Sequence, residues 1–141
     1  MIAVALCYHY THEEAILPLF ERVTKYFIDH LPEDYVPYWD LIFSDGSCEP
    51  RDTSAAAIAA CGILEMEKYY HNQEFLDIAK KMMSSLSEKY TTVDYLQSNG
   101  IIKDGMYSRK HGHKSECTSW GDYFYLEALM RMKKSDWKIY W

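Results

Sequence analysis

The chain has 141 residues and the apolar content of a single globular domain that can bury a core. Its formal net charge of −6 argues against nucleic acid as the main partner, because phosphate binding requires clustered lysine and arginine. No run of about eighteen apolar residues is present, so no membrane span is predicted, and the apolar start lacks the basic segment of a signal peptide.

The first two predicted helices form a hairpin. Residues 2–10 are an uncharged apolar run, and residues 15–31 carry their apolar side chains on one stripe of an amphipathic helix. Thr11 and Glu14 match a capping box for this second helix. Pro18 fits poorly inside a helix, which indicates a start near Leu17 or a kink.

A second hairpin follows the first long loop. Residues 53–70 are rich in alanine and uncharged as far as Leu64, which predicts a helix buried on all sides with Asp52 as its N-cap. Residues 74–89 have a single apolar face and are predicted to pack outside that helix. A third helix of the inner type is predicted over residues 121–133, with Asp122 as its N-cap.

The order of inner helix, tight turn, outer helix and long loop recurs about two and a half times, with a period of about sixty residues. Both long loops, 32–52 and 91–120, run from an outer helix to an inner one and therefore lie at one end of the array, the long-loop end. Functional residues are usually found on loops held by a rigid scaffold, so we expect any site at this end. Helix 2–10 has no partner before it, which indicates a piece of a larger helical toroid.

The four cysteines, Cys7, Cys48, Cys61 and Cys117, have neither metal-binding nor redox spacing. Two of them lie in apolar surroundings, as buried free thiols do, which favours a reducing, cytoplasmic location. His111, His113 and Cys117 resemble a metal cluster only loosely. Without a fourth ligand, neither a zinc site nor any cofactor is predicted.

Several segments resemble the unsaturated glucuronyl hydrolases, family 88 of the glycoside hydrolases. That family typically has Val-Pro-Tyr-Trp-Asp, then Pro-Arg-Asp-Ser-Ser-Ala-Ala-Ala-Ile, then Trp-Gly-Asp-Tyr-Phe-Tyr. The matching segments here are ALCYHYT, VPYWDLIF followed by EPRDTSAAAIAACGILE, and ECTSWGDYFYLEALMR. The resemblance covers essentially the whole chain, and two long motifs in the right order make it specific.

The resemblance implies an all-α fold in which the helical hairpins form part of an (α/α)6 barrel. Residues 1–141 would be the C-terminal part of a single catalytic domain. The family removes a 4,5-unsaturated uronic acid from oligosaccharides released by polysaccharide lyases, including those of glycosaminoglycan degradation. An aspartate protonates the C4=C5 vinyl ether and activates water for attack at C5, so the reaction is a hydration rather than a displacement at the anomeric carbon.

The family's catalytic aspartates and its Arg-Gly-Gln-x-x-Trp segment lie earlier than the region matched here. No catalytic residue is therefore predicted in this sequence, and the isolated chain is expected to be an inactive fragment.

The loop before Trp120 corresponds to a family loop that, in some members, carries a Ser-x-x-Ser-x-Lys motif contacting a sulfated second sugar. The spacing differs here, but hydroxyl, positive and aromatic groups remain. They predict substrate binding by Ser108, Lys110, His111, Lys114 and Trp120, with a solvated basic loop as the alternative. Tyr38 and Trp39 could stack on a sugar or pack against helices. Arg51 could bind a carboxylate or form an ion pair that holds the Asp52 cap.

Two other readings remain open. The chain could be a non-enzymatic helical-repeat module that binds a partner, or it could belong to the related unsaturated rhamnogalacturonyl hydrolases. The uncharged edge of helix 2–10 counts against the module, because a terminal repeat would show a polar face there. Open apolar edges at 2–10 and 121–133 instead predict self-association.

Overall fold

The inner and outer helices predicted from the sequence are present in a computed structural model, which describes residues 1–109, 116–134 and 136–139. Each begins within two residues of its predicted position, which confirms the all-α class. The described residues form five helices: α1 (Ile2–Thr11), α2 (Ile16–Asp29), α3 (Thr53–Met66), α4 (Gln73–Lys89) and α5 (Ser119–Lys133). Across these ranges, no helix combines the length and apolar character needed to cross a membrane.

The helices form two layers. In the inner layer, α3 lies between α1 and α5 and contacts both, while α2 packs on α1 and α4 packs on α3. Phe20 of α2 meets Phe75 of α4, with ring centroids 6.4 Å apart, which joins the two outer helices.

Small residues explain why α3 occupies the middle position. Ala56, Ala57 and Ala60 have no exposed surface, and 11 of the 14 residues of this helix are buried, while Ala55, Ile58 and Leu64 are half-buried. Gly62 allows the closest approach, because a Cβ atom at this position would come within 2.8 Å of the backbone nitrogen of Ile2. The N-terminus of α1 therefore lies beside the last third of α3.

A buried carboxylate joins the C-terminal ends of all three inner helices. The Glu65 side chain of α3 has no exposed surface, and His9 Nδ1 of α1 lies 2.7 Å from its Oε1. Arg131 of α5 forms an ion pair with Glu65 and a second one with Glu127, and Lys68 Nζ lies 2.8 Å from Glu65 Oε2. Burial raises the pKa of Glu65, but the hydrogen bonds from Lys68 and Arg131 outweigh it and hold that pKa below its usual value.

The predicted capping box is wrong. Thr11 is the last residue of α1, where its hydroxyl donates to the Cys7 carbonyl at 2.7 Å. Helix α2 has Ala15 as its N-cap, without a side-chain hydrogen bond. Pro18 lies in the first turn of α2, where backbone N–H groups have no partner within the helix, so the proline removes no helical hydrogen bond.

Of the two aspartates predicted to be N-caps, Asp52 is one and Asp122 is not. Asp52 is the N-cap of α3 and accepts hydrogen bonds from the N–H groups of Ser54 (3.1 Å) and Ala55 (3.4 Å). The N-cap of α5 is Thr118, whose hydroxyl oxygen accepts from Gly121 N–H at 3.1 Å. Asp122 instead accepts from the N–H groups of Ile101 and Ile102, at 2.9 and 3.0 Å, which fastens the second long loop to α5.

The thiols are less buried than the sequence indicated. Cys61 is buried, whereas Cys7, Cys48 and Cys117 are exposed, so one thiol rather than two belongs to the core. Burial also raises the pKa of the Cys61 thiol well above its usual value.

Replacing Asp52 should destabilise the chain by more than the loss of an ordinary cap. One oxygen, Oδ1, also accepts from the Ser54 hydroxyl at 2.6 Å and from Met106 N–H at 3.3 Å, so Asp52→Ala removes bonds from both the helix and the second loop. We expect a loss of about 2–3 kcal/mol in the free energy of unfolding, measured with urea. Thr118→Ala, which removes a simple cap, should cost about 1 kcal/mol. Equal losses of unfolding free energy for Asp52→Ala and Thr118→Ala would contradict the role of Asp52 in joining α3 to the second long loop.

The ion pairs of Glu65 should make stability depend on pH. A carboxyl whose folded pKa is lowered stabilises the fold above its unfolded pKa of about 4.3, and this contribution is lost as the pH falls through the folded value. Glu65→Gln should be less stable near neutral pH, by about 3 kcal/mol, and should lose less stability on acidification. Unfolding curves between pH 7 and the acid limb, with exposed Glu88→Gln as the control, test this. A Glu65→Gln acid limb as steep as that of the unmodified chain would contradict it.

Candidate functional site

The two long loops meet at the N-terminus of α3, as the sequence predicted. Thr53 donates its N–H to the Asp104 carbonyl at 3.0 Å and its hydroxyl to the Lys103 carbonyl at 2.8 Å. The first loop is closed at its base, because Asp52 N–H donates to the Pro37 carbonyl at 2.9 Å and Trp39 N–H donates to the Pro50 carbonyl at 3.0 Å. Both loops are thereby anchored to one helix end.

Two consecutive side-chain hydrogen bonds orient Trp120 at the long-loop end. The indole N–H of Trp120 donates to Ser54 Oγ at 3.2 Å, and Ser54 Oγ donates to Asp52 Oδ1 at 2.6 Å. The Trp120 side chain nevertheless remains 38% exposed. The residue that caps α3 therefore also fixes the orientation of an exposed aromatic ring on α5.

Tyr107 lies beside Trp120. It is 68% exposed, and the two ring centroids are 5.9 Å apart with an interplanar angle of 50°. Together they present an aromatic surface to solvent. Sequence reasoning missed Tyr107, although it stands in the same loop as the predicted site residues.

A second connection between the loops involves Arg109. Its Nε lies 3.1 Å from Glu49 Oε2, and Trp39 Nε1 donates to the same oxygen at 2.8 Å. The hydrogen bonds from Arg109 and Trp39 hold the pKa of Glu49 below its usual value. This cluster joins the loop segment that carries Tyr107 to the first long loop, and the Arg109 charge is paired with Glu49.

Two of the five predicted substrate-binding residues can be located. Ser108 is half-buried between Tyr107 and Arg109, and Trp120 occupies the exposed position given above. Lys110, His111 and Lys114 lie outside the described residues. The ends of their loop are paired, since Gly105 and Glu116 exchange backbone hydrogen bonds of 2.8 and 2.9 Å.

Arg51 binds groups within the first long loop and is not the partner of the Asp52 carboxylate. It forms ion pairs with Asp34 at 3.3 Å and Asp45 at 3.6 Å, and its Nη1 donates to the Val36 carbonyl at 2.7 Å. Its guanidinium stacks 4.0 Å from the ring centroid of Tyr38, which is only 6% exposed. Tyr38 therefore packs inside the loop and is not available to a sugar.

Among the residues that the structure describes, no three histidine, cysteine or acidic side chains lie close enough together to hold a metal ion. His111 and His113 lie outside the described residues.

A groove of about 320 Å³ lies at the opposite end of the inner helices. Its apolar lining is Leu64, Leu76, Met132 and Trp137. Two cations at its edge, Lys68 and Arg131, are already paired with Glu65. The aromatic ring in the groove lining, Trp137, is half-buried, whereas Trp120 and Tyr107 at the long-loop end are exposed, so the long-loop end remains the candidate site.

Curated relatives match nearly the whole chain. An unsaturated chondroitin disaccharide hydrolase from Streptococcus agalactiae serotype III is 42% identical over 144 residues, which cover 98% of this chain and 36% of the relative. An unsaturated glucuronyl hydrolase from Bacillus sp. strain GL1 is 36% identical over 136 residues, with 92% and 36% covered. No protein-family model matches the sequence.

Solved structures of the same enzymes also match nearly the whole chain. A crystal structure of the Streptococcus agalactiae unsaturated glucuronyl hydrolase superimposes with a TM-score of 0.91 at 42% identity, covering 99% of this chain and 36% of that one. The Bacillus sp. GL1 enzyme, described as responsible for the degradation of glycosaminoglycan, gives a TM-score of 0.88 at 34% identity, with 95% and 37% covered. The five helices thus match part of an α/α toroid.

The chain spans between 36% and 41% of the length of these relatives. It is homologous, over nearly all of its own length, to a part of the unsaturated glucuronyl and chondroitin disaccharide hydrolases of glycoside hydrolase family 88.

Proposed function

We propose that residues 1–141 are the C-terminal part of the single (α/α)6-barrel domain of a cytoplasmic unsaturated glucuronyl hydrolase. Such an enzyme removes a 4,5-unsaturated uronic acid from oligosaccharides by hydrating the vinyl ether. The homology supports this assignment, and so does a solved relative, a Streptococcus agalactiae variant complexed with dGlcA-GalNAc6S at 42% identity to this chain.

Within that enzyme, we propose that this part supplies a wall of the substrate site. The observation that carries the proposal is the exposed ring of Trp120, held in place by Ser54 and Asp52 and flanked by Tyr107. Exposed aromatic faces with a fixed orientation suit stacking on the apolar face of a sugar ring.

The polar contacts of this wall are proposed to come from the adjacent loop. Ser108 directly follows Tyr107, and Lys110, His111 and Lys114 follow in sequence. Hydroxyl and cationic groups are suited to the carboxylate of a uronic acid or to a sulfate on the neighbouring sugar.

We further propose that the catalytic acid and base lie outside this chain. Five aspartates at the long-loop end each accept a hydrogen bond from a backbone N–H: Asp34, Asp40, Asp45, Asp52 and Asp122. A carboxylate that holds the backbone in this way is committed to the loop structure, whereas an acid or base of the reaction must face the vinyl ether and its attacking water. Their arrangement is that of structural acceptors.

The purified chain should therefore not hydrolyse unsaturated chondroitin or hyaluronan disaccharides. The measurement is the ultraviolet absorbance of the C4=C5 bond, which is lost on hydration. Steady loss that depends on the protein, and that Asp52→Asn or Asp122→Asn abolishes, would show that the acid and base do lie within these residues.

The same chain should still bind the disaccharide weakly. Trp120→Ala should weaken binding of unsaturated chondroitin disaccharide by about tenfold, because it removes the stacking surface, and Trp120→Phe should retain most of the affinity. Titration followed by NMR or calorimetry measures this. Tyr26→Ala serves as the control, since Tyr26 is an exposed aromatic on the outer helix α2.

Equal affinities for Trp120→Ala and Tyr26→Ala would contradict the proposed wall. This result is independent of the activity assay, so a failure of the binding role and a failure of the catalytic assignment can be distinguished.

A further inference from the structure

The second long loop contains an asparagine followed by glycine. The chain has two asparagines, Asn72 and Asn99, and glycine follows only the second, in the pair Asn99–Gly100. Because glycine has no Cβ atom, its backbone nitrogen can approach the side-chain amide of the preceding residue without a steric barrier. A nitrogen in that position can attack the amide carbon and displace ammonia.

The structure leaves both groups of this pair accessible. Asn99 is exposed, and its side chain makes no hydrogen bond with any residue that the structure describes. The Gly100 N–H donates to the Ser98 hydroxyl oxygen at 3.2 Å, so it belongs to no helix and to no paired backbone segment. Neither the amide nor the nitrogen is therefore held away from the other by secondary structure.

The comparable positions elsewhere in the chain are held by structural contacts. Asn72 is the N-cap of α4, and its side-chain oxygen accepts a backbone N–H at 3.1 Å. Two aspartates also precede glycine. After the first, Asp104, the Gly105 N–H donates to the Glu116 carbonyl at 2.8 Å. The second, Asp45, pairs with Arg51 at 3.6 Å, which favours the charged carboxylate over a form that nitrogen could attack.

We propose that Asn99 is a site of spontaneous deamidation. The deprotonated Gly100 nitrogen bonds to Cγ of Asn99, and the bond from Cγ to Nδ2 breaks, so that ammonia leaves and a succinimide ring remains. One water then opens the ring at either carbonyl, which gives aspartate or isoaspartate. The balance is one water consumed and one ammonia released. This inference does not depend on the proposed enzymatic function.

The isoaspartate product does not fit the folded loop. It carries the main chain through Cγ and so adds one methylene carbon to the backbone just before Gly100. That glycine has no spare room, since a Cβ atom there would come within 2.3 Å of Cys117 Cβ. Directly after it, the N–H groups of Ile101 and Ile102 donate to Asp122 Oδ1 at 2.9 and 3.0 Å.

A lengthened backbone cannot keep both the close contact at Gly100 and the two bonds to Asp122. We therefore expect isoaspartate to release the second long loop from the start of α5, two residues from Trp120. The aspartate product retains the original backbone length and should keep both bonds. Deamidation thus changes the loop through its backbone and not through the added charge.

Peptide mass spectrometry after incubation at mildly alkaline pH tests the modification. Trypsin separates the two asparagines, because residues 90–103 contain Asn99 and residues 69–80 contain Asn72. Exchange of NH2 for OH should be at least about tenfold faster in peptide 90–103 than in peptide 69–80, because glycine follows only Asn99. Part of the product should accept a methyl group from a methyltransferase specific for isoaspartate. Equal rates, or a product without isoaspartate, would overturn the proposal.

Amide hydrogen exchange tests the structural consequence. In chains that contain isoaspartate, the amides of Ile101 and Ile102 should exchange at least about tenfold faster, because their hydrogen bonds to Asp122 are lost. Asn99→Asp carries the same charge on a backbone of normal length and should exchange as the original chain does. Asn99→Gln, which would need a six-membered ring, should remain unmodified and protected after the same incubation.

Three results of the exchange experiment would contradict the proposal. They are unchanged exchange in the isoaspartate form, equally fast exchange in freshly prepared Asn99→Asp, and loss of protection in incubated Asn99→Gln.

Discussion

The fold depends on the buried carboxylate of Glu65, where the three inner helices meet. A charge without exposed surface is costly unless cations and hydrogen-bond donors surround it. His9 and Arg131 supply them from the neighbouring helices, and Lys68 supplies another from the end of α3. This requirement fixes the register of α1 and α5 relative to α3 more strictly than apolar packing would, because small side chains alone permit sliding.

Because α1 and α5 are held in register at the C-terminal end of α3, the N-terminal end of α3 is also positioned relative to α5. The helix is short and rigid, so its N-terminus presents Asp52 and Ser54 at defined positions relative to α5. Trp120 can then reach Ser54, and Met106 can reach Asp52. The orientation of the exposed aromatic ring is therefore a consequence of helix packing and capping, and does not depend on the conformation of the loop alone.

Much of this organisation could be predicted from the sequence because it follows from periodicity. The uncharged, alanine-rich stretch after Asp52 identified the central helix, and the single apolar face of residues 74–89 identified its outer partner. Predictions failed where a side chain could serve two purposes. Thr11 and Glu14 had cap spacing, but Thr11 bonds back to Cys7. Asp122 had the composition of a cap, yet its carboxylate holds a loop twenty residues earlier in sequence.

The distribution of the thiols gives the chain its own chemical reporters. Cys7 is exposed on α1, Cys48 and Cys117 are exposed on the long loops, and Cys61 is enclosed in the core, where burial raises its thiol pKa and suppresses the reactive thiolate. Alkylation rates can thus distinguish three regions without an introduced residue. The alkylation rate of Cys7 measures the accessibility of α1, the rates of Cys48 and Cys117 measure that of the long loops, and the rate of Cys61 measures opening of the helical core.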